Sequence, residues 1–383
     1  MQFKVTPQDF VVEECLQLPA GSAGGFTVYR VRKQDVTTLR VQAQMARKLN
    51  VPQSAVVFPA LKDKAAVTVQ HASVRGSGPD RLANRGFTAQ RLGTSARPLT
   101  PADITANRFT LVLRDLALEE GTHIDARLAQ VTQEGLPNYF DQQRFGSLSP
   151  GNEPIGKLIL RRDAEGALRA YLAHPFLGDP APVKRFKKVA RAQWGDWQAL
   201  FEAAPRPSNL RSVLTYLRDH PTGYRKALNL ITRRLLSIYL AAYQSLLWNR
   251  IAGRFLAAQL DPPAHVEIAG EQFPLYHRRP SHLDPALVIP LPSHRAVYAD
   301  AGLAAIVDRV LEEEELALND LKARILKRAY LNKGKRALFL VPQDTSAALP
   351  EPDDLFPGRH KMTVAFALPR GSYATLVLKA LTA

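Results

Sequence analysis

Hydrophobic positions recur at two spacings along the first 150 residues of the chain. Phe10 to Glu14 and Phe26 to Lys33 carry short runs of β-branched and aromatic residues, which read as strands, whereas Thr37 to Leu49 places Val41, Met45 and Leu49 four apart on one helical face. A second cycle follows. Val56 to Leu61, Ala65 to Val74 and Asn107 to Leu113 read as strands, and the next segment carries Ile124, Leu128 and Val131 at helical spacing before Gly135 ends it. The mixture predicts an α+β layer.

Between Ser147 and Pro221 the texture changes. Pro150, Pro154, Pro175, Pro180, Pro182, Pro205, Pro207 and Pro221 interrupt any long element, and Lys184 to Arg191 carries five basic residues. This predicts a domain junction near residue 155. Leu228 to Leu260 reads as one long amphipathic helix, with Leu228, Ile231, Leu235, Ile238, Ala242 and Ser245 at steps of three and four. A Pro-rich stretch from Pro262 to Pro292 gives way to a second helix, Leu303 to Ala329, whose Glu312 to Glu315 run reads as a solvated face. The last residues return to the first texture: Ala337 to Val341 and Thr363 to Leu368 as strands, and Ser372 to Leu381 as a closing helix with Ser372 as its cap. A discontinuous domain is therefore expected, residues 1–155 packing with 330–383 around an insertion of 156–329.

Composition narrows the function classes. With 383 residues, 46% of them hydrophobic and 22% charged, the chain has the make-up of a globular protein able to bury a sizeable core. Its formal charge of +16 points to a polyanionic partner, nucleic acid first, because a basic face concentrates phosphate. Cys15 is the single cysteine, so no intrachain disulfide can form, and the nine His show no zinc-finger spacing. A reducing compartment, the cytoplasm, is expected. Met1 to Glu14 lacks a basic region followed by an apolar one, and the longest apolar segment, Leu235 to Trp248, contains Ser237, Gln244 and Ser245, so neither export nor membrane insertion is expected.

Two segments carry candidate chemistry. Phe58 to Thr68 puts Asp63 between Lys62 and Lys64 at the end of an apolar strand, and cationic neighbours favour an ionised carboxylate that can act as a nucleophile. A turn Asp beside surface lysines has the same pattern. Leu136 to Gly146 crowds Tyr139, Phe140, Phe145, Asn138, Gln142, Gln143 and Arg144 into a loop after a helix end. A flipped base needs an aromatic face to stack on and amides to read its edge, and a satellite hydrophobic cluster would look similar.

The combination resembles the tRNA pseudouridine synthase D (TruD) family. The matching stretches are Lys4 to Glu13, Leu61 to Thr68 with Gln70, Pro137 to Gly146, Ser245 to Asn249, Arg336 to Pro342 and Leu368 to Thr375, in family order. Within them, KD-x-x-A-x-T-x-Q and NYF-x-x-QRFG are the specific pieces. The resemblance implies an α+β fold: a pseudouridine-synthase catalytic core, a mixed, largely antiparallel sheet flanked by helices, with an inserted α/β TRUD-type domain. It implies that Asp63 is the catalytic carboxylate, that Phe140 stacks on the target base, and that Lys4 is an ionic partner of Asp63. Asn138, Lys62 and Glu13, also in matched stretches, are further substrate-binding candidates. It implies tRNA as partner, uridine 13 as target, and no cofactor, metal or obligate protein partner.

Four positions depart from the family pattern. Ala60 stands where Gly commonly precedes the KD motif, Asp141 replaces the Gly after NYF, His71 follows Gln70 where an aromatic is usual, and Trp248 replaces Phe. Asp141 is expected to sit at a backbone angle that Gly accepts more easily. Two other readings of the same residues are a base glycosylase, marked by release of free uracil, and an RNA-binding protein without activity.

Overall fold

A computed structural model of the chain describes residues 1–18, 24–149, 151–260 and 264–383. Pro150 and Pro262, which figure in the readings above, lie outside the described residues. The chain forms two compact units, Met1–Leu136 with Leu340–Thr382, and Pro137–Phe339. The stretches 137–155 and 330–339, read from the sequence with the terminal parts, group with the middle segment. Asn249 in the long helix holds the peptide groups of Phe140, and Arg336 holds Asn138.

The first unit is α+β. It contains β1 (Phe10–Leu16), β2 (Phe26–Lys33), α1 (Thr38–Lys48), β3 (Val56–Val57), β4 (Val67–Arg75), β5 (Arg81–Asn84), β6 (Phe87–Ser95), β7 (Ile104–Leu116) and α2 (Leu118–Glu134). The strands Gln343–Ala347 and His360–Pro369 and the helix Ala374–Leu381 complete it. The main sheet runs Gln343–Ala347, His360–Pro369, β7, β1, β4, β2, β6, β5, and only the β1–β4 pair in it is parallel. Helix α1 covers one core through Val41 and Met45, which pack with Tyr29, Val31, Val56, Ala72 and Phe87. Helix α2 packs against the closing helix and buries Ile124, Leu128 and Val131. It ends at Gly135, whose φ of 73° only glycine adopts freely and whose Cβ would stand 3.0 Å from the Leu340 carbonyl.

Several elements differ from the sequence reading for local reasons. The strand expected over Val56 to Leu61 stops at Val57, because the chain turns out into a loop that leaves Leu61 exposed. The β5–β6 hairpin was not read from the sequence. It turns at Asn84-Arg85-Gly86, where Gly86 takes a φ of 88° beside Gln34 and Val36, and its strands are mostly polar. Ser372 is not the cap of the closing helix, since Tyr373 occupies that position with extended backbone. Ala337 to Val341 divides into the short strands Lys335–Ala337 and Phe339–Leu340.

The second unit is mainly helical, with short antiparallel ladders such as Ala264–Ile268 with Glu271–Leu275 and Val288–Pro290 with Lys335–Ala337. The helix expected from Leu228 begins at Arg233 and runs to Ala257, because Asn229 turns its amide onto Arg225 and Ile325 and breaks the pattern. It is buried on nearly every side through residues such as Tyr239, Leu240, Tyr243, Leu247, Trp248 and Ile251, so it is a core helix.

The helix expected over Leu303 to Ala329 spans Ala301–Glu313 and stops where the Glu run begins its ion pairs. Glu312, Glu313 and Glu315 of that run are exposed as expected, and of the four only Glu314 turns inward. Glu314 meets the Tyr243 hydroxyl at 2.6 Å, Lys157 at 3.1 Å and Arg250; Glu313 pairs with Arg254, and Glu315 with Arg161. Burial pushes the Glu314 carboxyl up, and Tyr243, Arg250 and Lys157 more than offset it, so the group titrates below its usual range.

Candidate functional site

The predicted residues fall into two groups, one in each unit. In the first unit, Asp63 lies in the loop between β3 and β4 with its side chain 43% exposed. Lys4 Nζ stands 3.4 Å from Asp63 Oδ2 and 3.9 Å from the centroid of the Phe10 ring. Lys4 adopts a φ of 60°, a left-handed conformation that costs a non-glycine residue about 1 kcal/mol or more. The expected Lys4–Asp63 partnership is therefore present as geometry.

The loop is held from beneath by Gln70 of the KD-x-x-A-x-T-x-Q motif together with Thr38 of α1 and Lys33 of β2. Gln70 Oε1 accepts from the Thr38 hydroxyl at 2.9 Å, Gln70 Nε2 donates to the Ala60 carbonyl at 2.9 Å, and the Lys62 amide donates to Thr38 Oγ1 at 3.2 Å. Lys33, at the end of β2, donates to the Asp63 carbonyl at 2.6 Å. Burial pushes the Lys33 amine down to about 8, opposed by the Asp63 charge and aided by that of Lys62. Tyr29, Val31 and Lys33 share the inward face of β2, so the period-two pattern carried the signal that places Lys33 inside.

Lys62 turns inward. Its amine lies 3.3 Å from the buried Glu14 carboxylate and also donates to Asn107 Oδ1. Glu14 accepts in addition from the His71 amide at 2.9 Å. The neighbouring Glu13 pairs with Arg30 at 2.7 Å.

In the second unit, Phe140 is 9% exposed. Asn249 accepts from its N–H at 2.9 Å and donates to its carbonyl at 2.8 Å. The Arg336 guanidinium lies over the ring, 4.0 Å from the centroid, and Trp248 meets it edge-on at 5.7 Å. Arg336 also donates to the carbonyl of Asn138 at 2.7 Å and to its amide oxygen at 2.8 Å, while Asn138 Nδ2 donates to the Ala337 carbonyl at 3.1 Å. Both ends of the Asn138 amide thus serve the protein. Tyr139 is fully buried and donates to the Pro274 carbonyl at 3.0 Å.

Asp141 is buried with a φ of −105°, an ordinary extended angle, so the expected need for a glycine-like backbone is not met there. Arg336 and Asn249 lie in the stretches singled out from the sequence, yet only the fold reveals what they hold. The basic run at Lys184 to Arg191 is not wholly a surface: Lys187 is buried, 2.8 Å from Asp179 and 3.8 Å from the Phe176 ring centroid. Among the described residues, no group of three or more His, Cys, Asp and Glu is arranged to hold a metal ion, and no helix is long and apolar enough to cross a membrane.

Comparison with known proteins covers the segments that carry both groups. The family model described as tRNA pseudouridine synthase D (TruD) matches residues 1–381. A probable tRNA pseudouridine synthase D of Pyrobaculum neutrophilum is 30% identical over 98% of this chain and 90% of its own. The tRNA pseudouridine synthase D of Aquifex aeolicus is 26% identical over 100% of this chain and 98% of its own. The fold resembles the crystal structure of the putative tRNA pseudouridine synthase D of Methanosarcina mazei, with a TM-score of 0.76 and 24% identity, over 99% of this chain and 93% of that one. Asp63 and Phe140, one in each unit, lie within one matched span running through the sheet and the helical segment alike, and the chain belongs to the tRNA pseudouridine synthase D (TruD) family.

Proposed function

We propose that this protein converts a uridine of tRNA to pseudouridine, uridine 13 by the family resemblance, with Asp63 as the catalytic carboxylate and Phe140 as the stacking platform. The N1–C1′ bond of the nucleotide breaks, the uracil turns, C5 bonds to C1′, the C5 proton leaves and N1 takes one up. Atoms and oxidation state are conserved. A single carboxylate can serve by attacking C1′, by adding to C6 or by taking the C2′ proton.

The observation that carries the reading is the mounting of Asp63. Its carboxylate is open to a substrate and faces the Lys4 ammonium, while Lys33, Thr38 and Gln70 fix the peptide behind it. Such a group reacts without first reorganising its support. Lys4 aims the carboxylate, and Arg336 with Asn249 sets the plane of the Phe140 ring. Lys62, Glu13 and Asn138 act through Glu14, Arg30 and Arg336, holding the frame around the substrate. The reading carries a cytoplasmic location, tRNA as the macromolecular partner, and neither cofactor, metal nor obligate protein partner.

Tritium release from tRNA labelled at uracil C5, followed by mapping of the product, tests it. Asp63→Asn keeps the size of the side chain, so turnover should fall about 10²- to 10⁴-fold while tRNA affinity stays within a few-fold. Retained turnover in the purified variant would overturn the role of Asp63, and free uracil in the wild-type reaction would point to a glycosylase.

A further inference from the structure

A cavity of about 810 Å³ in the second unit is walled by six cationic side chains, Arg233, Arg295, Lys322, Arg324, Arg328 and Lys333, and no carboxylate lines it. None of the six makes an ion pair among the described residues. Elsewhere in this unit, Lys157, Arg161, Arg162, Lys187, Arg250 and Arg254 all lie against Asp or Glu. Six like charges around one hollow repel each other, so an unneutralised arrangement of this kind implies an anionic occupant. Burial and the charges of Arg295, Lys322 and Lys333 push the His294 imidazole at the same wall below its usual range, in keeping with a positive local field.

The wall is built on fixed backbone. The segment Lys322–Lys333 is irregular, but Asn229 accepts from the Lys327 amide at 2.8 Å and donates to the Ile325 carbonyl at 2.9 Å. Gln244, buried in the long helix, donates to the Asn332 carbonyl at 2.8 Å and accepts from its amide at 3.2 Å. Tyr330 anchors its hydroxyl on the Lys327 carbonyl at 2.9 Å and leaves its ring at the cavity 59% exposed. Fixed cations beside an open aromatic ring match a run of phosphates joined to a base that can stack.

We propose that this cavity is an RNA-backbone seat, taking consecutive phosphates of the tRNA on its six cations with a neighbouring base on Tyr330. The inference rests on the reading of tRNA as substrate and adds where part of the affinity resides. Phosphates held here release condensed cations, so the seat contributes to the salt dependence of binding at about 0.7 to 0.9 in log–log slope per contact.

The test uses the full chain carrying Arg324→Gln, Arg328→Gln and Lys333→Gln together, with Arg324→Lys, Arg328→Lys and Lys333→Arg as the charge-preserving control. Tm and far-UV circular dichroism establish that both fold. The Gln variant should lower the slope of log Kd against log salt by about 2 to 3, and raise KM for tRNA by more than it lowers kcat, while the control keeps most of the slope. Tyr330→Leu should weaken tRNA binding about five-fold or more with the slope unchanged. A folded Gln variant with the wild-type slope and KM would overturn the proposal. A wild-type slope together with lost binding of inorganic tripolyphosphate would reassign the cavity to a free polyphosphate. Pseudouridine formation by the wild type on the same tRNA is scored alongside; its absence would sink the catalytic reading and leave the slopes to decide the cavity.

Discussion

The loop that carries Asp63 and the segment that carries Phe140 solve the same problem in opposite ways. Around Asp63, neighbouring side chains hold backbone: Lys33, Thr38 and Gln70 bond to peptide groups or to one another, and the Asp63 side chain stands 43% exposed beside Lys4. Around Phe140, Asn138, Tyr139 and Asp141 are buried as well, and the ring is covered by Arg336 and edged by Trp248. Chemistry can therefore be removed from the first loop without disturbing the fold, whereas any change at the second removes packing as well. Activity and stability should separate in one place and move together in the other.

The widest separation should come from setting Asp63→Asn beside Phe140→Ala. The first should lose about 10²- to 10⁴-fold in turnover with Tm close to wild type. The second should lose turnover more than RNA affinity and also cost about 3–5 kcal/mol of stability, read from denaturant unfolding. A Phe140→Ala protein as stable as wild type would break the contrast. Asn249→Ala comes next, because it leaves a buried N–H and a buried carbonyl of Phe140 without their partner. A loss of roughly 1–3 kcal/mol is expected, with a fall in kcat that Phe140→Ala does not add to in the double variant.

Smaller effects probe the first loop. Lys4→Met removes the ammonium beside Asp63 Oδ2 while keeping most of the side chain, and kcat should fall about two- to five-fold with KM nearly fixed, on the order of a single exposed charge contact. An unchanged kcat would make Lys4 a bystander.

The smallest effect concerns pH and Lys33. Its amine titrates near 8 in the folded chain against an ordinary value of 10.5, so the folded form sheds the proton first. The cost of burying the charge is present in full below about pH 8 and fades between about 8 and 10.5. Between those limits the unfolded chain holds more proton, so the stability of wild type relative to Lys33→Met should rise with pH. A difference that is flat from pH 7 to 10 would show that the amine is not held as the structure has it.

What the sequence made legible was whatever depends on neighbours along the chain. The β-branched and aromatic runs of β1 and β2, the four-residue steps of α1 and the stop at Gly135 all belong to that class, as did the motif surrounding Asp63. What escaped depends on partners far away. Nothing near Glu314 announces Lys157, Tyr243 and Arg250, so it read as solvated like the three exposed glutamates around it. Lys187 looked like one more cation of a surface cluster until Asp179 and Phe176 enclosed it. Asp141 was judged by the glycine it replaces, and only the backbone angle settles that the replacement costs no left-handed strain. Lys33 belongs with them: it ended a strand-like run with no role read for it, and its acceptor on the Asp63 peptide is thirty residues away.

The order of strands in the main sheet has a consequence for how the protein is made. The strand His360–Pro369 pairs along β7 from Leu116 to Ala106, yet the entire second unit is synthesised between them. At roughly 5–20 residues per second on the ribosome, β7 waits on the order of tens of seconds with one hydrogen-bonding edge open. That nascent edge, with Leu111 and Leu113 along it, offers unpaired backbone to any other strand until the last part of the chain emerges.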